Sequence, residues 1–257
     1  MHGVVRQDQS SLNGDGMDKT DTHSLFFAQN CQSGICTIDE SQYHHAMHVL
    51  RLKIGDFIRI SDGVGSLWQC TVDREFEKKG ICKIGDRQTV RAVAPAITCY
   101  IGLPEHDAFD EAVQNLAAMG VARVVPVECR FSQTKWWKKD WAKCYERLLK
   151  KVVAGARQAL YPFLLTVDRP AVFGAVAEGF SSHTLVADQH GLPLAQECSC
   201  RSDKEISIVI GPPGGFAADE IALFQKQHCA KVSIGSTRLR TELAAVVACG
   251  VVRNLCC

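Results

Sequence analysis

Two glycine-bearing loops near the C-terminus hold the residues best suited to ligand chemistry. The first reads Gly211-Pro212-Pro213-Gly214-Gly215, and the second contains Ser233-Ile234-Gly235. Glycine permits tight turns and lets a ligand approach the backbone closely. The first loop is not a P-loop, because no Lys-Ser/Thr pair follows it and Phe216 stands where the P-loop lysine would be; its spacing also differs from the dinucleotide fingerprint. The loops therefore predict a site for a nucleoside-like ligand, held by backbone groups and apolar contacts.

Each loop follows a strand pattern and precedes a helical pattern, so a sheet must position both. The β-branched runs at residues 206–210 and 232–234 are typical of fully buried strands. Ligands of open α/β sheets bind where such strands end. Similar strand and helix patterns occur upstream, at residues 97–102, 108–119, 121–127 and 185–187. The pattern alone therefore favours an open, doubly wound α/β sheet.

The chain divides into three parts by composition. Residues 1–23 are polar, glycine-bearing and aperiodic, which predicts a disordered extension. Residues 24–93 carry short strand patterns, which predict a small β-barrel. A linker at 94–96 then leads to the α/β domain, expected at 97–257.

One hairpin is predicted in detail within the β-barrel. The strand patterns at 57–60 and 67–72 flank a turn that contains Gly63 and Gly65. Because glycine accepts positive φ, this turn suits two antiparallel strands.

The net charge of +1 conceals an uneven distribution. Residues 130–157 hold nine basic side chains and two acidic ones, a net charge of +7, so the rest of the chain is negative. On a helix, four of the basic residues form one stripe opposite an apolar stripe: Lys143, Arg147, Lys150 and Arg157. The stripe is either a solvated helix face or a surface for RNA phosphates. The local concentration of charge, beside Trp136 and Trp137, favours RNA.

Composition excludes several classes of protein. No apolar run reaches membrane-spanning length and the N-terminus lacks an apolar h-region, so we expect a soluble, cytoplasmic protein with no membrane partner. The 13 cysteines lack any C-x-x-C spacing, which favours buried reduced thiols. His44, His45 and His48 have no carboxylate or cysteine at ligand spacing, so we expect no metal site.

The C-terminal motifs resemble one known family. Ile210-Gly211-Pro212-x-Gly214-Gly215-Phe216, then Ser233-Ile234-Gly235 and Leu239-Arg240-Thr241-Glu242-x-Ala244-Ala245, are similar to motifs of the small-subunit ribosomal RNA uridine-N3 methyltransferases of the SPOUT (trefoil-knot) superfamily. His44-His45 and residues 49–56 extend the resemblance into that family's N-terminal RNA-binding domain. The resemblance implies an α/β fold, with a C-terminal SPOUT-type trefoil-knot domain and a small N-terminal PUA-like β-barrel.

The resemblance also implies a cofactor, S-adenosylmethionine. Its pocket would form from the loops that follow the strands at 185–187, 206–210 and 232–234. The implied cofactor-binding residues are Val186, Ala187, Ile210, Gly211, Pro212, Gly214, Gly215, Ile234, Gly235, Leu239 and Thr241.

The implied reaction transfers a methyl group to N3 of a uridine, in small-subunit ribosomal RNA or the assembled subunit. Arg240 is the first catalytic candidate, because a guanidinium can stabilise negative charge that develops on the uracil; a structural clamp on the knot is the alternative. Glu242 is a second candidate. It is either the proton acceptor or a structural residue that pairs with Arg240 and stabilises the helix start, and the structural role is favoured. The candidate RNA-binding residues are Arg51, Arg130, Lys135, Lys143, Arg147, Lys150 and Arg157.

Residues 241–252 are apolar nearly all round. Such a helix needs cover on several sides, either inside one subunit or at an interface between two. The resemblance favours a homodimer.

Three positions depart from the family pattern by losing carboxylates. They are Pro213, Ala118 and the segment 154–159. Two alternatives therefore remain: a catalytically lapsed RNA-binding protein, and a knotted methyltransferase that acts on another RNA position.

Overall fold

The computed structural model describes residues 24–132, 134–199 and 205–256. The extension predicted at 1–23 lies outside these ranges. The described chain forms two sheets, one in each of two domains. The first sheet ends with Thr89 and the second begins with Ala96.

The N-terminal domain is a mixed sheet with short helices. Its elements are β1 (Leu25–Gln32), β2 (Ile35–Ile38), α1 (Glu40–His44), a turn of π-helix (His45–Val49), β3 (Phe57–Ser61), β4 (Ser66–Thr71), α2 (Arg74–Lys79), β5 (Ile81–Lys83) and β6 (Arg87–Thr89). The strand order is β5-β2-β1-β3-β4-β6, and only β1 and β3 are parallel. The sheet curls as a half-barrel around a buried cluster that includes Phe26, Ile58, Ile60 and Phe76. The predicted hairpin is confirmed, since β3 pairs antiparallel with β4.

The C-terminal domain alternates strands and helices. Its elements are β7 (Ala96–Gly102), α3 (His106–Ala118), β8 (Arg123–Glu128), a 3-10 turn (Trp136–Lys138), α4 (Trp141–Gln158), β9 (Thr166–Val167), β10 (Ala171–Val172), α5 (Phe173–Ala177), β11 (Thr184–Pro193), α6 (Leu194–Ser199), β12 (Glu205–Ile210), α7 (Ala218–Lys226), β13 (Ala230–Ser233) and α8 (Thr241–Leu255).

All the strands of this second sheet run parallel. Their order is β10-β8-β7-β12-β11-β13, with β9 also beside β8. Helices α3, α4, α6 and α8 cover one face with a large apolar core, and α5 and α7 cover the other. Because both faces are covered, the central strands are apolar along their length, as the β-branched runs predicted. The trefoil knot that the family resemblance implies stays a prediction.

Helix α4 connects the two domains. Its Leu148 and Val152 are buried in the C-terminal core, and Ala156 packs against Leu25 and Phe27 of β1. The domain contact continues after the helix, where Ser61 Oγ donates to the carbonyl of Pro162 (2.7 Å) and Leu164 N donates to that of Gly63 (2.9 Å). The N-terminal domain is therefore fixed against the end of the region that carries the positive charge.

Helix α8 is buried on one face. Thr241, Ala244, Ala245, Ala248, Cys249 and Val252 are buried. Leu243 and Leu255 are 49% and 46% exposed, respectively. Part of the apolar surface of this helix is therefore uncovered in the single chain.

The expectation of reduced thiols is wrong at one pair of cysteines. Cys31 and Cys36, which are register partners on β1 and β2, form a disulfide. A five-residue separation carried no disulfide signal, because it is the hairpin register that brings the two residues together. No helix in the described part of the chain is long and apolar enough to cross a membrane.

Candidate functional site

One pocket of about 730 Å³ lies at the carboxyl ends of the C-terminal strands. Four segments line it: residues 104–108 after β7, 187–189 within β11, the loop after β12, and the segment from β13 into α8. This is the position where open α/β sheets bind ligands. The pocket therefore gathers the two glycine loops and adds two walls that they do not provide.

The loop after β12 is fixed by close backbone contacts. A Cβ on Gly102, at the end of β7, would overlap the backbone nitrogen of Pro212. Gly211 faces the ring of Phe216 at 3.1 Å, measured from its ideal Cβ position. Gly215 has φ +77° and donates its N–H to the carbonyl of Pro212 (2.8 Å), which closes a tight turn. The shape of this pocket wall thus depends on the absence of side chains.

Gly214 lies in the same loop but does not line the pocket. An ideal Cβ on Gly214 would lie 2.7 Å from the Cβ of Phe131. A side chain at this position would collide with the loop that carries Phe131. The sequence had instead predicted that Gly214 leaves room for a ligand.

Two side chains, one just before α8 and one at its first residue, bond to the loop after β12. Arg238 Nη2 donates to the carbonyl of Pro213 (2.9 Å), and Thr241 Oγ1 donates to the carbonyl of Gly211 (3.0 Å). Thr241 is buried. These bonds hold the two glycine loops at a fixed separation across the pocket.

Arg240 and Glu242 both line the pocket at the start of α8. Arg240 is the N-cap residue, and its side chain makes no capping hydrogen bond. Within the described ranges, neither side chain takes part in an ion pair, so the suggested pairing of the two residues with each other is absent. Arg238 and Thr241 make the hydrogen bonds between the two loops, and Arg240, which lines the pocket, has no side-chain partner among the described residues.

A bulge in β11 brings a carboxylate to the pocket. Val232 of β13 is the register partner of both Ala187 and Leu192, so the residues between these two project from the sheet. Asp188 lines the pocket there, accepts from His190 N (2.9 Å), and lies 3.5 Å from the Nζ of Lys231. An oriented anionic acceptor is thus available to a ligand.

Helix α4 presents only part of its predicted basic stripe. Arg147 donates from Nε and Nη2 to the buried carboxylate of Asp110 on α3 (2.8 and 3.1 Å), and it lies over the ring of Trp136. Lys143 and Lys150 are exposed, and neither makes an ion pair among the described residues. Arg147 therefore joins two helices, whereas the two lysines are available to a partner.

Arg157, at the end of the stripe, is half-buried near the N-terminal domain. Burial lowers the pKa of its guanidinium, and the nearby charge of Asp39 partly offsets that effect. Burial also lowers the pKa of His45 in the π-helix turn, and the charges of Arg157 and His44 lower it further. Arg51, the candidate in the N-terminal domain, is exposed and has φ +55°. Arg157 and the histidine-bearing turn thus form one charged junction between the domains.

The remaining RNA candidates lie in the segment between β8 and α4. Arg130 is exposed and pairs with Asp219 (2.6 Å), and Lys135 is exposed. Trp136 Nε1 and Thr134 Oγ1 both donate to the carbonyl of Pro104 on the pocket wall (3.2 and 3.1 Å). This segment therefore supports the pocket and also begins the basic region.

The structure brings most of the predicted cofactor residues to one pocket. Those that line it are Ala187, Ile210, Gly211, Pro212, Gly215, Ile234, Gly235, Leu239 and Thr241. Gly214 faces Phe131, and Val186 is buried in the core on the α5 and α7 side of the sheet. Sequence reasoning missed Glu105, Asp188 and Arg238, which also line the pocket. Arg238 could have been predicted from its position, because it lies between Gly235 and the motif that begins at Leu239.

Comparison with known proteins gives matches along nearly the whole described chain. A family model described as an RNA methyltransferase domain matches residues 92–253, and one described as an RNA methyltransferase PUA domain matches residues 38–84. A curated relative named ribosomal RNA small subunit methyltransferase E, from Mycobacterium tuberculosis, is 25% identical over 224 residues, which cover 85% of this chain and 86% of the relative. Its Rickettsia conorii namesake is 23% identical over 216 residues, covering 82% and 86%.

Solved structures show the same fold. The Neisseria gonorrhoeae ribosomal RNA small subunit methyltransferase E bound to S-adenosyl methionine superposes with a TM-score of 0.77 at 20% identity, covering 90% of this chain and 97% of that one. A Legionella pneumophila methyltransferase structure in complex with the same cofactor also gives 0.77, at 21% identity, covering 90% and 96%. The predicted α/β fold with a PUA-like N-terminal domain is confirmed.

Proposed function

The chain belongs to the RNA methyltransferase family whose domain it matches over residues 92–253, and from this premise we propose that it methylates N3 of a uridine in small-subunit ribosomal RNA. We propose S-adenosylmethionine as the methyl donor and the cytoplasm as the place of action. The observation that carries the proposal is the pocket itself, where Arg240 and Glu242 stand beside the two glycine loops.

The pocket fits S-adenosylmethionine in size and chemistry. Its volume of about 730 Å³ lies in the range of small-molecule sites. Ile210, Ile234 and Leu239 offer apolar contacts to a purine ring, and the loop backbones offer hydrogen bonds. The carboxylates of Asp188 and Glu105 are candidates to accept from ribose hydroxyls or an ammonium group. When bound, the cofactor supplies a methyl group on a positively charged sulfur.

The chain's own task is to position the uracil and help N3 lose its proton. Arg240 can donate to a uracil carbonyl oxygen and stabilise the negative charge that develops as the proton leaves. Glu242 is the proposed proton acceptor, supported by its place in the pocket and its freedom from any ion pair within the described ranges. Arg238 and Thr241 hold the loops, so Arg240 meets the base without a large rearrangement.

RNA binding is proposed for the exposed cations near the pocket. Lys135, Lys143 and Lys150 are exposed, and phosphate contacts would use them directly. Arg51 is exposed on the PUA-like domain and extends the proposed surface. For Arg130, Arg147 and Arg157, the proposal requires exchange or sharing of their present protein contacts.

A homodimer is proposed through α8. Leu243 and Leu255 are exposed on this helix, and a second copy of the chain would cover them. Because Leu243 follows Glu242, the proposed interface lies next to the pocket.

The test is methyl transfer to ribosomal subunits in vitro. Small subunits purified from a strain that lacks the modification are incubated with the protein and labelled S-adenosylmethionine, with large subunits as the control. Mass spectrometry of the digested RNA should show N3-methyluridine in the small subunit alone. Another methylated nucleoside would mean that the enzyme acts on a different position. Complete absence of transfer would favour a catalytically lapsed RNA-binding protein.

A further inference from the structure

Phe131 presents an aromatic ring to solvent next to the pocket. Its side chain is 47% exposed, and it lines an open hollow together with Arg130, Ser132 and Gly214. The nearby Trp136 differs, because it packs against the rings of Phe109, His106 and Trp137. Within the described ranges, Phe131 makes no such ring contact.

The loop that carries Phe131 is held in place on both sides. Arg130 N donates to Oε1 of Glu220, and Ala217 N donates to Oε2 of the same carboxylate, each at 2.8 Å. Glu220 is buried at 5% exposure. Cys129 N donates to Ser132 Oγ (3.1 Å), and Ser132 N donates back to the carbonyl of Cys129 (3.1 Å). These hydrogen bonds fix the backbone on both sides of Phe131, while its ring stays exposed to solvent.

This loop touches the wall of the cofactor pocket from behind. The Cβ of Phe131 packs against Gly214, whose neighbours Pro213 and Gly215 line the pocket. Phe131 thus lies against the outer side of the pocket wall, with Gly214 between it and the residues that line the pocket.

Basic residues flank Phe131 along the chain. Arg130 precedes it, and the exposed Lys135 and Lys139 follow it before the basic helix α4 begins. Arg130 forms an ion pair with Asp219. The net positive charge of this segment therefore comes mainly from the two lysines and from α4. Phe131 therefore belongs to the same basic segment of the chain that packs against the pocket loop at Gly214.

We propose that Phe131 is a base-stacking residue, which holds an unpaired base adjacent to the target nucleotide. Aromatic side chains stack on exposed bases of any sequence, and a target base must leave its own stack to enter an active-site pocket. Phe131 gives the neighbouring base a new stacking partner and so fixes the strand beside the pocket wall. The inference rests on the proposed function, because it assumes an RNA substrate.

Phe131→Leu and Phe131→Tyr separate stacking from packing. Leucine keeps the Cβ that packs on Gly214 but loses the ring face, whereas tyrosine keeps both. With small subunits from the unmodified strain, Phe131→Leu should raise KM for the subunit about tenfold, in line with the loss of one stacked base, and leave kcat nearly unchanged. Phe131→Tyr should behave like wild type. Val64→Ala, in an exposed turn of the N-terminal domain, is the matched control for loss of an exposed apolar group.

Three further measurements keep the outcomes distinct. The dissociation constant for S-adenosylmethionine, from calorimetry, should be the same in all four proteins. An unchanged KM in Phe131→Leu, or an equal rise in Phe131→Tyr, overturns the stacking role. A lower sedimentation coefficient of free Phe131→Leu also overturns it, since the ring would then belong to a contact between two copies of the chain. If wild type transfers no methyl group, the proposed function fails, and filter retention of small-subunit RNA tests the same variants for binding.

Discussion

The pocket loops and the basic helix α4 hold their polar side chains in different ways. In the pocket, Arg238 and Thr241 donate to backbone carbonyls of the opposite loop, those of Pro213 and Gly211. Both bonds lie beside Arg240, which has no protein partner among the described residues. The chain on either side of Arg240 is therefore tied to the opposite loop of the pocket.

On α4 the free cations lie on an exposed helix face and do not line the pocket. Arg147 is fixed by Asp110, but Lys143 and Lys150 are exposed lysines on flexible stems. A lysine held only by its stem attracts phosphate through charge, with little geometric selection. The pocket should therefore respond to small changes with large, specific losses, and the helix with graded, salt-dependent ones.

The most severe test of the rigid pocket is Gly102→Ala. The added Cβ would overlap the backbone of Pro212, which cannot move without shifting the pocket loop. We expect loss of measurable S-adenosylmethionine binding by calorimetry and a destabilisation of roughly 1–3 kcal/mol from overpacking. The matched control is Gly174→Ala in α5, where nothing lies within 4 Å of the added Cβ. Normal cofactor affinity in Gly102→Ala would show that the loop is more adaptable than its contacts indicate.

The second test compares two arginines of one segment. Arg240→Lys keeps the charge but loses the planar fork, so single-turnover methylation should slow by about tenfold or more with little change in cofactor affinity. Arg238→Lys loses its bond to Pro213, so its main effect should be weaker cofactor binding, measured by calorimetry. If the two variants showed the same pattern, the division into a supporting and a chemical arginine would be wrong.

The third test divides the basic stripe of α4. A Lys143→Ala/Lys150→Ala variant should keep its stability and bind small-subunit RNA more weakly, with the slope of log K against log salt reduced by about 1 to 2. Arg147→Met should instead cost about 1–3 kcal/mol of unfolding free energy in urea, because the buried Asp110 carboxylate loses its partner. An unchanged salt slope in the double variant would make the stripe an ordinary solvated face.

Local pattern predicted the parts of this molecule that depend on neighbouring residues. The β-branched run of β12 and the glycine turn of β3 and β4 were visible because strands and hairpins are set by short stretches of chain. The pocket residues of the glycine loops followed from the family resemblance, and most of them meet in one pocket.

Contacts between distant residues could not be predicted in this way. Arg147 was assigned to a basic stripe that binds RNA, because its partner Asp110 lies 37 residues earlier on another helix and gave no local signal. Gly214 was assigned to the ligand, although it packs against Phe131 of a loop far away in sequence. Spacing rules cover neighbours on one helix or hairpin, so side-chain roles set by tertiary packing stay hidden from them.

The smallest expected effect concerns Arg157. It belongs to the basic stripe of α4, but it is half-buried, unlike the exposed Lys143 and Lys150. The pKa of His45 is lowered from its ordinary value of 6.5 by burial, by the charge of Arg157 and by that of His44. Because protonation is disfavoured in the folded state, His45 contributes stability that is present above pH 6.5 and is lost as pH falls through its lower folded pKa. His45→Gln should therefore flatten the pH dependence of the free energy of unfolding in the window just below pH 6.5.

Arg157→Gln should move the His45 pKa upward in an NMR titration, whereas Lys150→Gln on the same helix should not. An unchanged His45 pKa in Arg157→Gln would show that the charge of Arg157 does not act on the histidine-bearing turn.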